Sequence, residues 1–256
     1  MKPIGIGVIG TGFMGKAHSI AYSASASVFG IGLRPNLEIV CDLSPERANQ
    51  RATDLGFSRH TDKWQDVVND PRVDLISVCT PNNTHSEISI AALEKGKHVW
   101  CEKPMSSSLE DSQIMAEVAE KSNSKTIVGY NYTKNPVVIH ARKIIEKGTI
   151  GRISGFFCRY DVDNEADGSK PWSWRMSKEL SGTGSNGDIL SHVISVGHYL
   201  INSRISNVVG DISIIHKQRK DPKENEKSKS MFEEALKIDP SYKPALDNME
   251  NLEKIE

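Results

Sequence analysis

The chain has 256 residues, of which 25% are charged and 38% hydrophobic, and its net charge is −1 at pH 7. These values are typical of a globular protein that buries a large core without cross-links. The charges form no basic block, which argues against nucleic acid or an anionic membrane as a partner. Because the chain has neither a bilayer-spanning apolar run nor a signal-peptide pattern, we expect a cytoplasmic protein.

The first half of the chain alternates strand-like and helix-like segments. Strands are predicted over residues 4–9, 37–41, 74–79, 98–101 and 126–129. Helices are predicted from residue 13 to about 22 and over residues 47–55, 84–94 and 108–121. This alternation predicts an α/β fold, with a parallel sheet that carries helices on both faces.

Three glycines follow the first strand directly, at the spacing G-x-G-x-x-G: Gly10, Gly12 and Gly15. A glycine-rich turn alone is weak evidence, but its position between a strand and a helix is the one that dinucleotide binding requires. Gly10 would permit the tight turn, Gly12 the approach of a pyrophosphate, and Gly15 close packing of helix and strand. The helix N-terminus would offer N–H groups to the phosphates.

An acidic residue, Asp42, ends the second predicted strand. A carboxylate at this point accepts hydrogen bonds from the adenosine ribose and repels a 2′-phosphate, so NAD is favoured over NADP. The alternative is a solvated turn residue. The separation from Gly15 is longer than usual, and residues 22–35 are expected to form an additional loop.

The four cysteines are not arranged as C-x-x-C pairs: Cys41, Cys79, Cys101 and Cys158. Three of them end strand-like runs, which predicts small buried side chains in a reducing compartment. This spacing gives no reason to expect a metal site.

Several segments together resemble the glucose–fructose oxidoreductase, inositol dehydrogenase and MocA (Gfo/Idh/MocA) family. T-P-N-N-T-H covers residues 80–85, and G-K-H-V-W-C-E-K-P covers residues 96–104. G-Y-N-Y at 129–132, W-S-W-R at 172–175 and G-S-N-G-D-I-L-S-H at 184–192 are similar to further family segments. The resemblance extends from residue 3 to about residue 215.

The resemblance implies an NAD-binding Rossmann domain over residues 1–129 and part of an α+β open-sheet domain over residues 130–216. It also implies NAD(P)-dependent hydride transfer at a secondary alcohol of a sugar or cyclitol. The family's catalytic lysine, aspartate and histidine match Lys103, Asp188 and His192. A longer run over residues 152–162 and a strand over 208–215 are expected in the second domain.

The chemistry agrees with that assignment. Oxidation of an alcohol needs a base near neutral pH, and histidine suits that role. Asp188 and His192 are four residues apart on a predicted helix, so they share one face. Lys103 follows the fourth predicted strand and would stabilise alkoxide character on the reacting oxygen. The alternative to a catalytic site is that Asp188 and His192 form a surface pair and that Lys103 is solvated.

Further candidates come from the same motifs. The predicted cofactor-binding residues are Gly10, Thr11, Gly12, Phe13, Met14, Gly15, Asp42, Thr80, Asn82, His85, Glu102 and Lys103. The alternative for residues 80–85 is a polar loop with a helix cap at Thr84. The predicted substrate-binding residues are Tyr132, Trp174 and Arg175. His140 and His198 are interpreted as structural.

The sequence departs from the family pattern at Leu190, where glycine is usual, and at Ser195, where aspartate is common. Family members continue with more strands, which complete the substrate pocket and the subunit contact. Here residues 217–230 are predicted to be a charged linker. Residues 231–256 are predicted to be a helical tail that resembles part of a tetratricopeptide repeat or is simply amphipathic.

Two functions follow from these observations. The first is an NAD(P)-dependent dehydrogenase whose small-molecule partner is a sugar or polyol. The second is a dinucleotide-binding module, or a truncated fusion product, whose tail binds a partner. An incomplete second sheet would leave an unpaired edge and apolar surface, which favours aggregation or association.

Overall fold

A computed structural model describes residues 2–30, 32–163 and 166–220. Its strands are β1 (Lys2–Ile9), β2 (Leu33–Cys41), β3 (Arg59–Thr61), β4 (Leu75–Val78), β5 (His98–Cys101) and β6 (Thr126–Val128). They form one sheet in the order β3-β2-β1-β4-β5-β6. All neighbouring strands run parallel, which confirms the predicted α/β class.

The strand order reverses between β1 and β4. From β1 the chain adds β2 and β3 on one side of the sheet, and it then adds β4, β5 and β6 on the other side. This is the order of a doubly wound Rossmann sheet. Ligands bind such sheets at the carboxyl ends of the strands beside the reversal point. The segments after β1, β4 and β5 therefore lie at the edge of the sheet where such folds bind ligands.

The helices are α1 (Phe13–Phe29), α2 (Pro45–Leu55), α3 (Trp64–Asn69), α4 (His85–Glu94), α5 (Leu109–Lys121), α6 (Pro136–Glu146), α7 (Lys178–Ser181) and α8 (Ser191–Ile201). Local sequence explains several of their ends. Ser44 caps α2 by accepting a hydrogen bond from the backbone N–H of Arg47, and Pro45 is its first residue. Ser108 caps α5 in the same way.

The expected loop over residues 22–35 is wrong. Helix α1 continues to Phe29, and β2 already begins at Leu33. The segment between Tyr22 and Phe29 is rich in alanine and serine and holds neither glycine nor proline, so nothing in it stops the helix. Gly30 ends it in the left-handed conformation, with φ of 57°.

The core lies on both faces of the sheet. One cluster contains Ile9, Ile76 and Val99, and the other contains Ile6, Val8 and Val40. A sheet covered by helices on both faces buries nearly every residue of its central strands, which explains the continuous apolar runs. The short elements β3 and α3 were missed by the sequence prediction because three and six residues give too little periodicity.

Two compact units are present: Met1–Cys158 with Ser177–Arg204, and Arg159–Met176 with Ile205–Glu256. The first unit contains the sheet and helices α1 to α8. The expected strand over residues 208–215 is not formed, and residues 152–162 are likewise irregular. A strand needs a neighbouring strand for its hydrogen bonds. Among the described residues, neither segment makes backbone hydrogen bonds to another strand.

The predicted tail over residues 231–256 lies outside the described residues, as does most of the linker over 217–230. Within the part of the chain that is described, no helix is both long and apolar enough to cross a membrane.

Candidate active site

The turn between β1 and α1 has the geometry of a phosphate cradle. Gly10 adopts φ of 88°, and a Cβ there would lie 2.7 Å from the carbonyl oxygen of Cys79. A Cβ on Gly15 would collide with the carbonyl oxygen of Gly10, so α1 packs directly on the turn. A Cβ on Gly12 would meet no atom within 4 Å. The space above Gly12 is therefore open on the face where a pyrophosphate would lie.

The start of α1 supplies donors to that space. Gly12 is the N-cap residue and offers no side chain, so no side chain caps this helix. The first N–H groups of a helix have no partner inside it. The backbone N–H groups of Phe13 and Met14 are thus placed where a diphosphate would accept hydrogen bonds and gain from the helix dipole. These residues fit the nucleotide that the sequence predicts.

Asp42 lies at the end of β2 and is buried. One of its oxygens accepts hydrogen bonds from the backbone N–H and the hydroxyl of Thr11. The other accepts from the backbone N–H of Leu43 at 2.7 Å and lies 3.1 Å from Nε of Arg47. The Asp42 carboxylate is held beside the glycine turn, where an adenosine ribose would be read. Arg47, which the sequence analysis did not single out, is half exposed here.

Lys103 follows β5 and contacts Asp188, 85 residues further along the chain. Its Nζ donates to Oδ1 of Asp188 at 2.6 Å and to the backbone carbonyl of the same residue at 2.7 Å. The Lys103 side chain is 12% exposed and that of Asp188 36%. The Lys103–Pro104 peptide bond is cis. The predicted lysine and aspartate therefore meet at the carboxyl edge of the sheet.

His192 lies one helical turn beyond Asp188, at the start of α8. The ring of Tyr132 stacks on it at 4.2 Å between centroids, and Tyr130 meets it edge-on at 6.2 Å. Burial lowers the pKa of His192, and the Lys103 charge lowers it further, while Asp188 and Glu102 raise it. Its Nδ1 is buried with no hydrogen-bond partner among the described residues. An imidazolium would leave that N–H unpaired, so the neutral ring is favoured.

The segment after β4 contains three predicted cofactor residues with different surroundings. His85 is 1% exposed, and its two ring nitrogens lie 2.9 Å from the backbone carbonyls of Pro104 and Thr80. Both polar atoms of the ring face backbone carbonyls, and contact of His85 with a cofactor remains a prediction. These contacts join the loop after β4 to the loop after β5. The sequence pattern could not distinguish these roles, since a histidine suits both.

Asn82 is also buried and donates from Nδ2 to the backbone carbonyl of Ser181. The hydroxyl of Thr84 donates towards Thr80 and the carbonyl of Pro81, so it organises the turn that precedes α4. Thr80 and Asn82 lie on the carboxyl side of β4, and contact with a nucleotide remains a prediction for both.

The predicted substrate residues fall in two places. Tyr132 stacks on His192, as described above. Trp174 and Arg175 belong to the other compact unit, where the guanidinium of Arg175 lies over the Trp174 ring at 4.6 Å. Their part in substrate binding remains a prediction. Tyr130, beside His192, was not singled out, although it lies in the same G-Y-N-Y segment.

Glu102 is 5% exposed, and its carboxylate lies 3.0 Å from Nε2 of His18. Contact of Glu102 with a nucleotide remains a prediction. Among residues 2–30, 32–163 and 166–220, no group of three or more His, Cys, Asp or Glu is arranged to hold a metal ion.

Strand order, glycine turn and acidic strand end together define a dinucleotide-binding Rossmann domain. The model of an oxidoreductase family with an NAD-binding Rossmann fold matches residues 4–130. The model of the GFO/IDH/MocA C-terminal domain matches residues 138–232. The chain belongs to the Gfo/Idh/MocA oxidoreductase family, as the sequence motifs predict.

Characterised relatives include the levoglucosan dehydrogenase of Pseudarthrobacter phenanthrenivorans, which is 41% identical over 202 residues, 78% of this chain and 52% of the relative. An inositol dehydrogenase of Lactiplantibacillus plantarum is 27% identical over 206 residues, 79% of this chain and 54% of its own length. The chain thus spans about half the length of these relatives.

Solved structures agree with this family assignment. A levoglucosan dehydrogenase in complex with NADH and levoglucosan superposes with a TM-score of 0.84 at 38% identity, covering 86% of this chain and 60% of that one. An oxidoreductase domain protein from Kribbella flavida gives a TM-score of 0.82 at 36% identity, covering 87% of this chain and 60% of that one.

Proposed function

We propose that this chain carries the cofactor site and the catalytic groups of an NAD-dependent dehydrogenase that oxidises a secondary alcohol of a sugar or cyclitol. The observation that carries the proposal is the meeting of Lys103 and Asp188 at the carboxyl edge of the sheet, one helical turn from His192. Reaction of the alcohol with NAD⁺ gives a ketone, NADH and one proton.

The glycine turn and Asp42 would hold the nucleotide. The backbone N–H groups of Phe13 and Met14 would bind the diphosphate above Gly12. Asp42 would accept hydrogen bonds from the adenosine ribose and would repel the 2′-phosphate of NADP. When bound, the nicotinamide supplies the acceptor for the hydride that leaves the carbinol carbon.

His192 is the proposed base. The pKa of its imidazole is lowered by burial and by the charge of Lys103, so the neutral ring is available to accept a proton near pH 7. It would take the hydroxyl proton of the substrate as the carbinol carbon loses hydride. The stacked ring of Tyr132 fixes the plane of the imidazole.

Lys103 is the proposed electrostatic stabiliser. Its ammonium would donate a hydrogen bond to the reacting oxygen, on which negative charge develops as the hydroxyl proton leaves. Asp188 holds Nζ through its carboxylate and its backbone carbonyl. Two acceptors from one residue restrict the lysine to a single orientation, so little reorganisation is needed during the reaction.

The experiment is a turnover assay with the 256-residue chain. NAD⁺ reduction is followed by absorbance with levoglucosan, myo-inositol and glucose 6-phosphate, the substrates that relatives' names indicate. Levoglucosan is the first choice because that relative is 41% identical. We expect NADH formation that depends on the sugar and is lost in the Lys103→Ala variant.

Quenching of tryptophan fluorescence by NADH, without turnover on any polyol or sugar in either direction, would contradict the proposal. That result would favour the second function, a dinucleotide-binding module without catalysis.

A further inference from the structure

A buried polar cluster lies between α1 and the sheet, beside the proposed site. His18 of α1 places Nε2 3.0 Å from the Glu102 carboxylate and Nδ1 3.0 Å from the hydroxyl of Ser77. The Tyr22 hydroxyl lies 2.8 Å from the same oxygen of Ser77. His18 and Glu102 are each 5% exposed, so this is a continuous hydrogen-bonded chain inside the protein.

The buried carboxylate of Glu102 is paired with the imidazole of His18. A buried carboxylate is costly unless it is paired and hydrogen-bonded. Oxygen Oε1 faces His18, while Oε2 has, within the described part of the chain, only a long contact of 3.4 Å with the backbone N–H of Lys103. A Cβ on Gly129 would collide with this carboxylate, so the space is shaped for it. His18 is therefore the principal donor to Glu102.

The imidazole of His18 is itself fixed. The ring of Trp100 packs against it at 4.5 Å between centroids, and Tyr22 meets it edge-on at 6.4 Å. A carboxylate oxygen only accepts hydrogen bonds, so Nε2 of His18 is assigned as the N–H that donates to Glu102. Burial raises the pKa of Tyr22 to about 12, and its hydroxyl stays protonated at neutral pH. The orientation of the His18 ring is thus fixed by Trp100 and Tyr22 as well as by its hydrogen bonds.

These contacts connect two parts of the site. Helix α1 begins at the glycine turn, and His18 lies in its second turn. Glu102 directly precedes Lys103 in the loop that follows β5. The pair from His18 to Glu102 is a side-chain link between the pyrophosphate-binding helix and the loop that carries the proposed catalytic lysine.

We propose that His18 is a positioning residue, which acts through Glu102 to hold the loop of Lys103 in its working orientation against α1. This inference rests on the proposed function for the role of Lys103, while the link itself is a property of the fold. His18 does not touch the reacting atoms and contributes no proton to the reaction.

A matched pair of substitutions tests the link. In His18→Gln the amide nitrogen replaces Nε2 and keeps a donor to Glu102, whereas in His18→Asn it replaces Nδ1 and leaves Glu102 unpaired. We expect His18→Asn to lower kcat about tenfold or more, with the Kd of NADH within about twofold of the wild type. His18→Gln should retain kcat within about threefold. Equal losses in the two variants, or none in His18→Asn, would overturn the proposal.

A second measurement needs no turnover. The amine of Lys103 is acylated with a mild reagent, and its rate is compared by mass spectrometry with that of Lys121, whose side chain is 78% exposed. We expect the relative rate at Lys103 to rise severalfold in His18→Asn and to stay at the wild-type value in His18→Gln. An unchanged rate in His18→Asn would reject the positioning role, even in a protein without activity. Absence of wild-type turnover would instead count against the proposed function.

Where His18→Asn does not fold, Glu102→Gln takes its place. Glu102→Gln preserves shape and removes the charge that His18 pairs with. We expect Glu102→Gln to raise the relative acylation rate at Lys103 severalfold, as is expected for His18→Asn. An unchanged rate at Lys103 in Glu102→Gln would overturn the link.

Discussion

Nζ of Lys103 lies 2.6 Å from Oδ1 of Asp188 and 2.7 Å from its backbone carbonyl oxygen, although 85 residues separate them in the chain. This contact joins the loop after β5 to the segment that leads into α8. It brings the positive charge of Lys103 beside His192. Burial is the main cause of the lowered pKa of His192, and the Lys103 charge lowers that pKa further.

Lys103→Ala is expected to lower kcat about a hundredfold or more, because the developing charge on the substrate oxygen loses its donor. NADH should still bind with a Kd within a few-fold of the wild type, since the diphosphate is held by the helix N-terminus. Turnover and fluorescence titration measure the two effects. Lys121→Ala, at an exposed lysine, is the control and should leave both unchanged. Full turnover in Lys103→Ala would reject the assigned role.

The rate of alcohol oxidation should rise with pH through the pKa of His192 and level off above it, because only the neutral ring accepts a proton. Burial and then the Lys103 charge lower this pKa from its ordinary value of 6.5, so the acid limb of kcat/KM lies below that value. Asp188 raises the pKa, so Asp188→Asn should move the limb to lower pH. An acid limb that moves to higher pH in Asp188→Asn would contradict the assignment of His192 as the base. The variant His192→Asn should lose most of its turnover.

Asp42→Ser is expected to raise the KM for NAD⁺ about tenfold or more, because two charge-assisted hydrogen bonds to the ribose are lost. The same change should improve the use of NADP⁺, since it removes repulsion and frees the Arg47 guanidinium, whose Nε lies 3.1 Å from Asp42. The double variant Asp42→Ser/Arg47→Ala is the control and should lose the gain. Steady-state kinetics with NAD⁺ and with NADP⁺ measure both effects. An unchanged preference for NAD⁺ over NADP⁺ in Asp42→Ser would contradict the assignment of Asp42 to the adenosine ribose.

Gly12→Ala and Gly15→Ala should fail in different ways. The new Cβ at Gly15 meets the backbone of Gly10, so we expect a loss of about 1–3 kcal/mol in the free energy of unfolding. The new Cβ at Gly12 enters open space and should leave stability nearly unchanged, while raising the Kd of NADH about tenfold or more. Denaturant titration and NADH fluorescence separate the two. Unimpaired NADH binding in Gly12→Ala would disprove the cradle.

Local patterns predicted the parallel sheet and the glycine turn after β1. The turn after β1 is specified by three glycines within six residues, and α2 by Ser44 and Pro45. Such signals are encoded where they act, so no tertiary information is needed. The family motifs marked Lys103 and Asp188 as residues of one site, but their direct contact is visible only in the structure.

Other features depend on contacts distant in sequence. The pair of His18 and Glu102 is separated by 84 residues, and its only local sign is a polar residue on the buried face of α1. His85 matched the family motif, but its burial and its backbone partners became visible only in three dimensions. The strand expected over residues 208–215 has the right composition, yet a strand forms only against a neighbour.

Gly129 has a consequence for the tolerance of the protein to mutation. It follows the edge strand β6, whose residue Ile127 is 43% exposed and should accept many replacements. Gly129 itself is buried, and even a single methyl group there would press on the carboxylate of Glu102. A saturation screen should therefore find one intolerant position just beyond a permissive strand, in a place that no nucleotide-binding signature would mark.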